Sequence, residues 1–203
     1  MPPVLTRPPM QSRRASVPPM PKRWTLAQFH QLGDAGYFEG MRAKLIHGVI
    51  IEEGPMNPPH AIAGMNAEEA LRSAFGKGWW LWIEKPLVLG SDTDPMPDLA
   101  VLAGRPTVAG GHPTTAALVI EIADTSLDYD TTTKAELYAT AGIADYWVVD
   151  VENRLLLVFR DPAPLPAGLG ATAYQTRLTF AETDTVAPLA LPSAAVRVAD
   201  LLP

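Results

Sequence analysis

The chain has 203 residues, of which 47% are hydrophobic, and it contains no cysteine. That is enough apolar content for a packed core, and it excludes disulfides and thiolate metal centres. The formal charge of −6 is uneven: Arg7, Arg13, Arg14, Lys22 and Arg23 precede any acid, so residues 24–203 stand near −11, which counts against a broad nucleic-acid-binding face.

Residues 1–23 hold seven prolines among Ser, Arg and Met. Such a stretch can bury little, so a disordered tail is expected, followed by one domain over 24–203. No apolar run approaches the ~20 residues that span a bilayer, and the N-terminus lacks the apolar core of a secretory signal. The expectation is a cytoplasmic protein with no membrane contact.

Thr25 precedes Leu26, Phe29 and Leu32 at helical spacing and predicts an N-capped short helix. Ala43 to Glu53 reads as a β-hairpin turning at His47-Gly48. Gly54 to Pro59 reads as a breaker loop. Ala63, Ala67, Ala70, Leu71 and Ala74 form the stripe of a helix over about His60 to Phe75, with small residues that allow close approach to a sheet.

Trp79 to Leu89 is strand-like in composition, and Pro86 marks an edge or bulge. Asp98 opens a short strand, Leu99 to Leu102, after a Pro-rich loop. Leu118 to Ile122 predicts a central strand. Thr131 to Ala141 predicts a helix capped by Asp128 or Asp130 and ended by Gly142. Asp145 to Val151 and Arg154 to Arg160 predict a second hairpin around Glu152-Asn153. Asp161 to Thr172 reads as a loop, Tyr174 to Phe180 as a strand, and Val186 to Pro203 as a tail that docks on the body. This order predicts a mixed α/β fold with helices flanking a sheet.

Two residues break the hydrophobic pattern. Glu121 sits inside the apolar run LVIEI, where a carboxylate is costly unless paired. Lys134 lies three, four and seven positions before Leu137, Tyr138 and Ala141, so it shares their inward face. An acid and a base placed against the pattern point to a site. Asp98 joins them if its strand neighbours that of Glu121. Two nearby carboxylates repel unless a proton or divalent cation intervenes, and all-oxygen ligation suits Mg²⁺ or Mn²⁺.

Each residue also has an ordinary reading. Asp98 follows Pro97 as a turn pair would. Lys134 could pair with Asp130 one turn earlier, or snorkel to solvent. His60 is an accessory site candidate or simply a helix-start residue. A buried Glu121–Lys134 salt bridge is the purely structural alternative, though such a bridge is seldom a net gain in stability.

The segments LIHGVIIEE, PPH before a helix, MPDLAV, LVIEIADTS, DYDTTTKAELYATAGI and ADYWVVDV resemble the Uma-type restriction endonuclease family, a branch of the PD-(D/E)xK nuclease superfamily. The resemblance spans about residues 24–160. It implies a restriction-endonuclease-like core and metal-assisted hydrolysis of DNA. Asp98 and Glu121 would be metal ligands together with the carbonyl of Ile122, Mg²⁺ or Mn²⁺ would be the cofactor, and Lys134 would be the catalytic lysine. In the superfamily pattern the lysine lies two residues after the acid, where this chain has Ala123, so Lys134 must reach back from the following helix. The family's early segment often carries Glu-Leu-Ile-Asp-Gly-Glu; here Lys44, His47 and Val49 replace its acids. A homodimer is expected, since cutting both strands usually takes two sites. The alternative of a different class is a non-catalytic nuclease-like module that binds a protein or nucleic-acid partner.

Overall fold

The computed structural model describes residues 19–164 and 172–203. Helix α1 (Leu26–Asp34) begins where the sequence places it: the Thr25 hydroxyl accepts from the Gln28 N–H while the Gln28 side chain accepts from the Thr25 N–H. Strands β1 (Arg42–Ile46) and β2 (Val49–Glu53) form an antiparallel hairpin. Its two turn residues, His47 and Gly48, have φ of 48° and 73°, the pair of positive values that a tight hairpin turn needs.

The helix expected from His60 starts earlier. Helix α2 (Pro58–Phe75) is capped by the Asn57 side chain, which accepts from the His60 N–H. Pro58 and Pro59 are therefore its first turn and not part of a breaker loop. A proline there gives up an N–H that would have no helical partner in any case. Of the expected stripe, Ala63, Ala67 and Leu71 are buried, Ala70 and Ala74 are partly buried against the same core, and Phe75 joins them.

Six strands form the main sheet in the order β3-β4-β5-β6-β7-β8. They are β3 (Trp79–Ile83), β4 (Leu99–Ala103), β5 (Leu118–Ala123), β6 (Asp145–Asp150), β7 (Leu155–Pro164) and β8 (Thr172–Ala181). All neighbours are antiparallel except β5 and β6, which are parallel and so need a crossover between them. Strand β3 ends at Ile83 and not at Leu89, because Glu84 takes the left-handed φ of 47° and turns the chain away. Strands β7 and β8 extend into the stretch expected to be loop; residues 165–171 lie outside the described residues, as do residues 1–18 of the expected tail.

Alternate residues of each strand feed two cores. Leu118, Ile120 and Ile122 face α2 and the C-terminal segment, including Val196, Val198 and Leu201. Val119 and Ala123 face the crossover. That crossover begins earlier than Thr131: α3 (Leu127–Tyr129) runs into a single π-turn, Asp130–Lys134, and on into α4 (Ala135–Thr140). Asp128 and Asp130 thus lie inside the helical segment and do not cap it. Gly142, at φ 75°, follows its end as expected. The fold is a mixed α/β sheet flanked by helices.

Candidate active site

The antiparallel register of β4 and β5 sets Leu99 opposite Ile120. Asp98, one residue before β4, therefore lies beside Glu121. The two strands lock this end reciprocally. The Ile122 N–H donates to Asp98 Oδ2 at 2.7 Å, and the Asp98 N–H reaches Glu121 Oε2 at 3.4 Å. Glu121 is an interior residue of the crossover face and is 1% exposed. It is sustained there by partners from the crossover: the Tyr138 hydroxyl donates to Oε1 at 2.6 Å, and the Lys134 ammonium lies 2.9 Å from Oε2.

The π-turn explains how Lys134 arrives. A π-turn carries one residue more than an α-turn and shifts the face that follows it. Lys134 closes this turn and is only 10% exposed, between Glu121 and Asp130, with both carboxylates at 2.9 Å. Lys134 thus meets both Glu121 across the fold and Asp130 one turn earlier in its own helical segment. Asp130 is itself buried and accepts from the Ser126 hydroxyl. Its Oδ1 meets Lys134 as a charge but has no hydrogen-bond donor.

From α2, His60 Nε2 approaches Asp98 Oδ1 at 3.4 Å. A cleft of about 250 Å³ opens here, and Asp98, Ile122, Lys134 and His60 all line it. Glu121 does not line it and sits behind Asp98 and Lys134. Asp98, Glu121, Lys134, His60 and Ile122 are therefore brought together, but only one of the two strand-end carboxylates reaches the cleft.

The electrostatics follow from three carboxylates sharing one ammonium and one imidazole. Burial pushes the Glu121 carboxyl up to about 7 against the pull of Lys134. Burial also works against the ionised Asp98, yet the His60 hydrogen bond and the Lys134 charge more than offset it and hold the carboxyl below its usual range. Burial disfavours the charged Lys134, but Glu121, Asp130 and Asp98 outweigh it and keep the lysine protonated. The bond to Asp98 raises His60 in turn. The cluster holds more carboxylate than fixed positive charge, and burial favours the neutral form of Glu121.

A divalent cation fits this donor set. Asp98 and the Ile122 position border the cleft, and the surplus of carboxylate is the charge such an ion would balance. Glu121 sits behind the cleft wall with its oxygens facing Tyr138 and Lys134, so it could join only by turning a free lone pair toward the cleft. Among the described residues, no group of three or more His, Asp or Glu side chains is arranged to hold a metal by itself, so water and substrate oxygens would complete the shell.

Sequence reasoning missed several lining residues. The hairpin supplies Arg42 and Glu53, and the crossover supplies Tyr129. Lys44, 2% exposed, pairs with Glu53. Asn57 links the cap of α2 to Asp124. The one available signal was that β1 alternates Arg42, Lys44 and Ile46 on one face, which puts two cations on the side where a hairpin must dock.

A sequence model of the Uma2 family, described as "Putative restriction endonuclease", matches residues 26–199. Among solved structures, the chain resembles that of a "putative nuclease belonging to DUF820" from Anabaena variabilis, at 18% identity and a TM-score of 0.66. The match covers 87% of this chain and 96% of that one. No curated protein matches. No helix among the described residues is long and apolar enough to cross a membrane.

Proposed function

The chain belongs to the Uma2 family, and on that premise we propose that residues 24–203 form a single nuclease-like domain, a cytoplasmic endonuclease that hydrolyses DNA phosphodiester bonds with Mg²⁺ or Mn²⁺. The observation that carries the reading is the meeting of Asp98, Glu121 and Lys134 at one cleft-side end of the sheet, with too few positive charges for its acids.

Asp98, Glu121 and the Ile122 carbonyl would hold the ion. Bound there, a divalent cation lowers the pKa of a ligated water and stabilises charge on the phosphoryl oxygens. Lys134, which already borders the cleft, would orient the attacking water or neutralise the phosphate with its ammonium. Tyr138 keeps its bond to Glu121 Oε1 and fixes that carboxylate's orientation. His60 would hold Asp98 from the α2 side and keep its carboxylate on the cleft wall. Cleavage of both strands would call for two copies of the site, and a homodimer is the assembly that provides them.

The second reading is a nuclease-like module without catalysis. It is favoured by the charge near −11 over residues 24–203 and by the full engagement of both Glu121 oxygens. Plasmid nicking separates the two. Wild type with Mg²⁺ or Mn²⁺ should nick supercoiled plasmid, while Asp98→Ala and Lys134→Ala should lose at least about a hundredfold in rate. Equal nicking by all three would mean a contaminant and would leave the non-catalytic reading.

A further inference from the structure

We infer that Arg42 is the phosphate-receiving residue of the cleft, held ready by two ion pairs that an incoming anion replaces; its identification with a DNA phosphate rests on the nuclease reading.

Among the described residues, the cleft has three groups on its walls that can carry positive charge: Lys134, His60 and Arg42. Two are already committed. Lys134 is shared between Glu121 and Asp130 at 2.9 Å each, and His60 leans on Asp98 at 3.4 Å. An anion entering between Asp98 and Glu53 would meet carboxylates on both sides, so it needs a cation with donors to spare.

Arg42 has them. Of the five N–H donors of a guanidinium, one makes a hydrogen bond, from Nη1 to Glu84 Oε2 at 3.1 Å. The approach of Nη2 to Glu53 Oε2, at 3.6 Å, is a contact between charges and too long for a hydrogen bond. Nε is buried without any partner. The side chain is 31% exposed, and it borders the same cleft as Asp98 and Lys134.

Both partners can release it. Glu53 also holds the ammonium of buried Lys44, so it does not depend on Arg42 for its counter-charge. Glu84 is 39% exposed and would return to water. Half-exposed pairs of this kind are weak, while a planar guanidinium fork on a phosphate is among the stronger charge-assisted contacts. The position suits the role as well. Arg42 opens β1 and Glu84 follows the end of β3, so their contact bridges the hairpin to the edge of the main sheet beside Asp98, whose carbonyl accepts from the Glu84 N–H at 3.1 Å.

The test is binding in EDTA, which removes metal and turnover. A fluorescein-labelled short duplex of mixed sequence is titrated with wild type, Arg42→Gln, Arg42→Lys and Glu84→Gln, and inorganic phosphate serves as competitor. Arg42→Gln should weaken binding about tenfold or more, and Arg42→Lys should fall between it and wild type, since charge is kept and the fork lost. Glu84→Gln should tighten binding by freeing the guanidinium, and phosphate should compete with wild type but not with Arg42→Gln. Arg42→Gln binding like wild type would overturn the inference. So would a loss of binding in Glu84→Gln that tracks a lowered melting temperature, because Arg42 would then be a strut between hairpin and sheet. So would a wild type that binds neither probe. Wild type that binds through Arg42 but never nicks plasmid with Mg²⁺ removes the nuclease reading alone and supports this one.

Discussion

Glu121 keeps its place on the interior face of a central strand because the Tyr138 hydroxyl, the Lys134 ammonium and the Asp98 N–H all meet its two oxygens. Removing one donor should show how much each carries. Tyr138→Phe leaves Oε1 buried without its donor and should cost about 1–3 kcal/mol in urea unfolding. The pH response has a definite sign. The folded value of Glu121, about 7, lies above its unfolded 4.5. The stability contributed by the neutral carboxyl is thus fully present below the unfolded value and lost as pH rises through the folded one. Metal-free protein should lose stability across that window, and Glu121→Gln should flatten the slope; an unchanged slope would mean that another group titrates there. Glu121 and Lys134 were legible because each breaks the hydrophobic pattern, and Asp98 because it opens the strand next to that of Glu121. The Tyr138 hydroxyl was not, since a tyrosine on an inward face looks the same whether it is packing or holding an acid. Arg42 and Glu53 were hidden for a different reason: only the docking of the hairpin beside β3 makes them part of the cleft.

At the scale of elements, two devices aim the site. The first is the start of α2. Asn57 caps that helix and also bonds Asp124 beyond β5, so it ties His60 to the strand that carries Glu121. Asn57→Ala should cost about 1 kcal/mol in stability and loosen His60, visible as faster hydrogen exchange in the first turn. The second device is the π-turn at Asp130–Lys134. Deleting Thr132 should restore α-geometry and rotate Lys134 away from Glu121. Circular dichroism should then stay near wild type while nicking falls with that of Lys134→Ala. Retained nicking would mean that the turn does not aim the lysine. The helices themselves were readable from Thr25, from the alanine stripe and from Gly142. The π-turn was not, because it rests on a shift of backbone hydrogen bonding that no residue type announces. The early end of β3 was equally hidden, since Glu84 is not a residue that ordinarily marks a positive φ.

Across the whole molecule, the C-terminal segment completes the core under α2. Its short strands, β9 (Thr185–Val186) and β10 (Val196–Arg197), pair antiparallel, and Leu201 is fully buried. Asp145, also fully buried, anchors that segment by accepting from the Leu189 N–H, the Trp147 indole and Arg160. Leu201→Ala should therefore cost about 2–5 kcal/mol although it lies near the chain's end. The mixed sheet could be anticipated from the alternation of helices and strands. The strand order could not, because pairing between distant segments leaves no mark in either one.

The charge of the whole molecule and the charge of its site lead to one decisive measurement. At this end of the sheet three carboxylates, Asp98, Glu121 and Asp130, share the Lys134 ammonium, and the proposed divalent cation would balance their surplus beside Asp98. Isothermal titration of Mn²⁺ near pH 7, repeated in buffers of different ionisation enthalpy, measures both the ion and the proton it displaces. The prediction is one ion per chain, with a fraction of a proton released from Glu121, and binding abolished in Asp98→Asn. Mn²⁺ binding that persists unchanged in Asp98→Asn, or no binding by wild type at all, would contradict it.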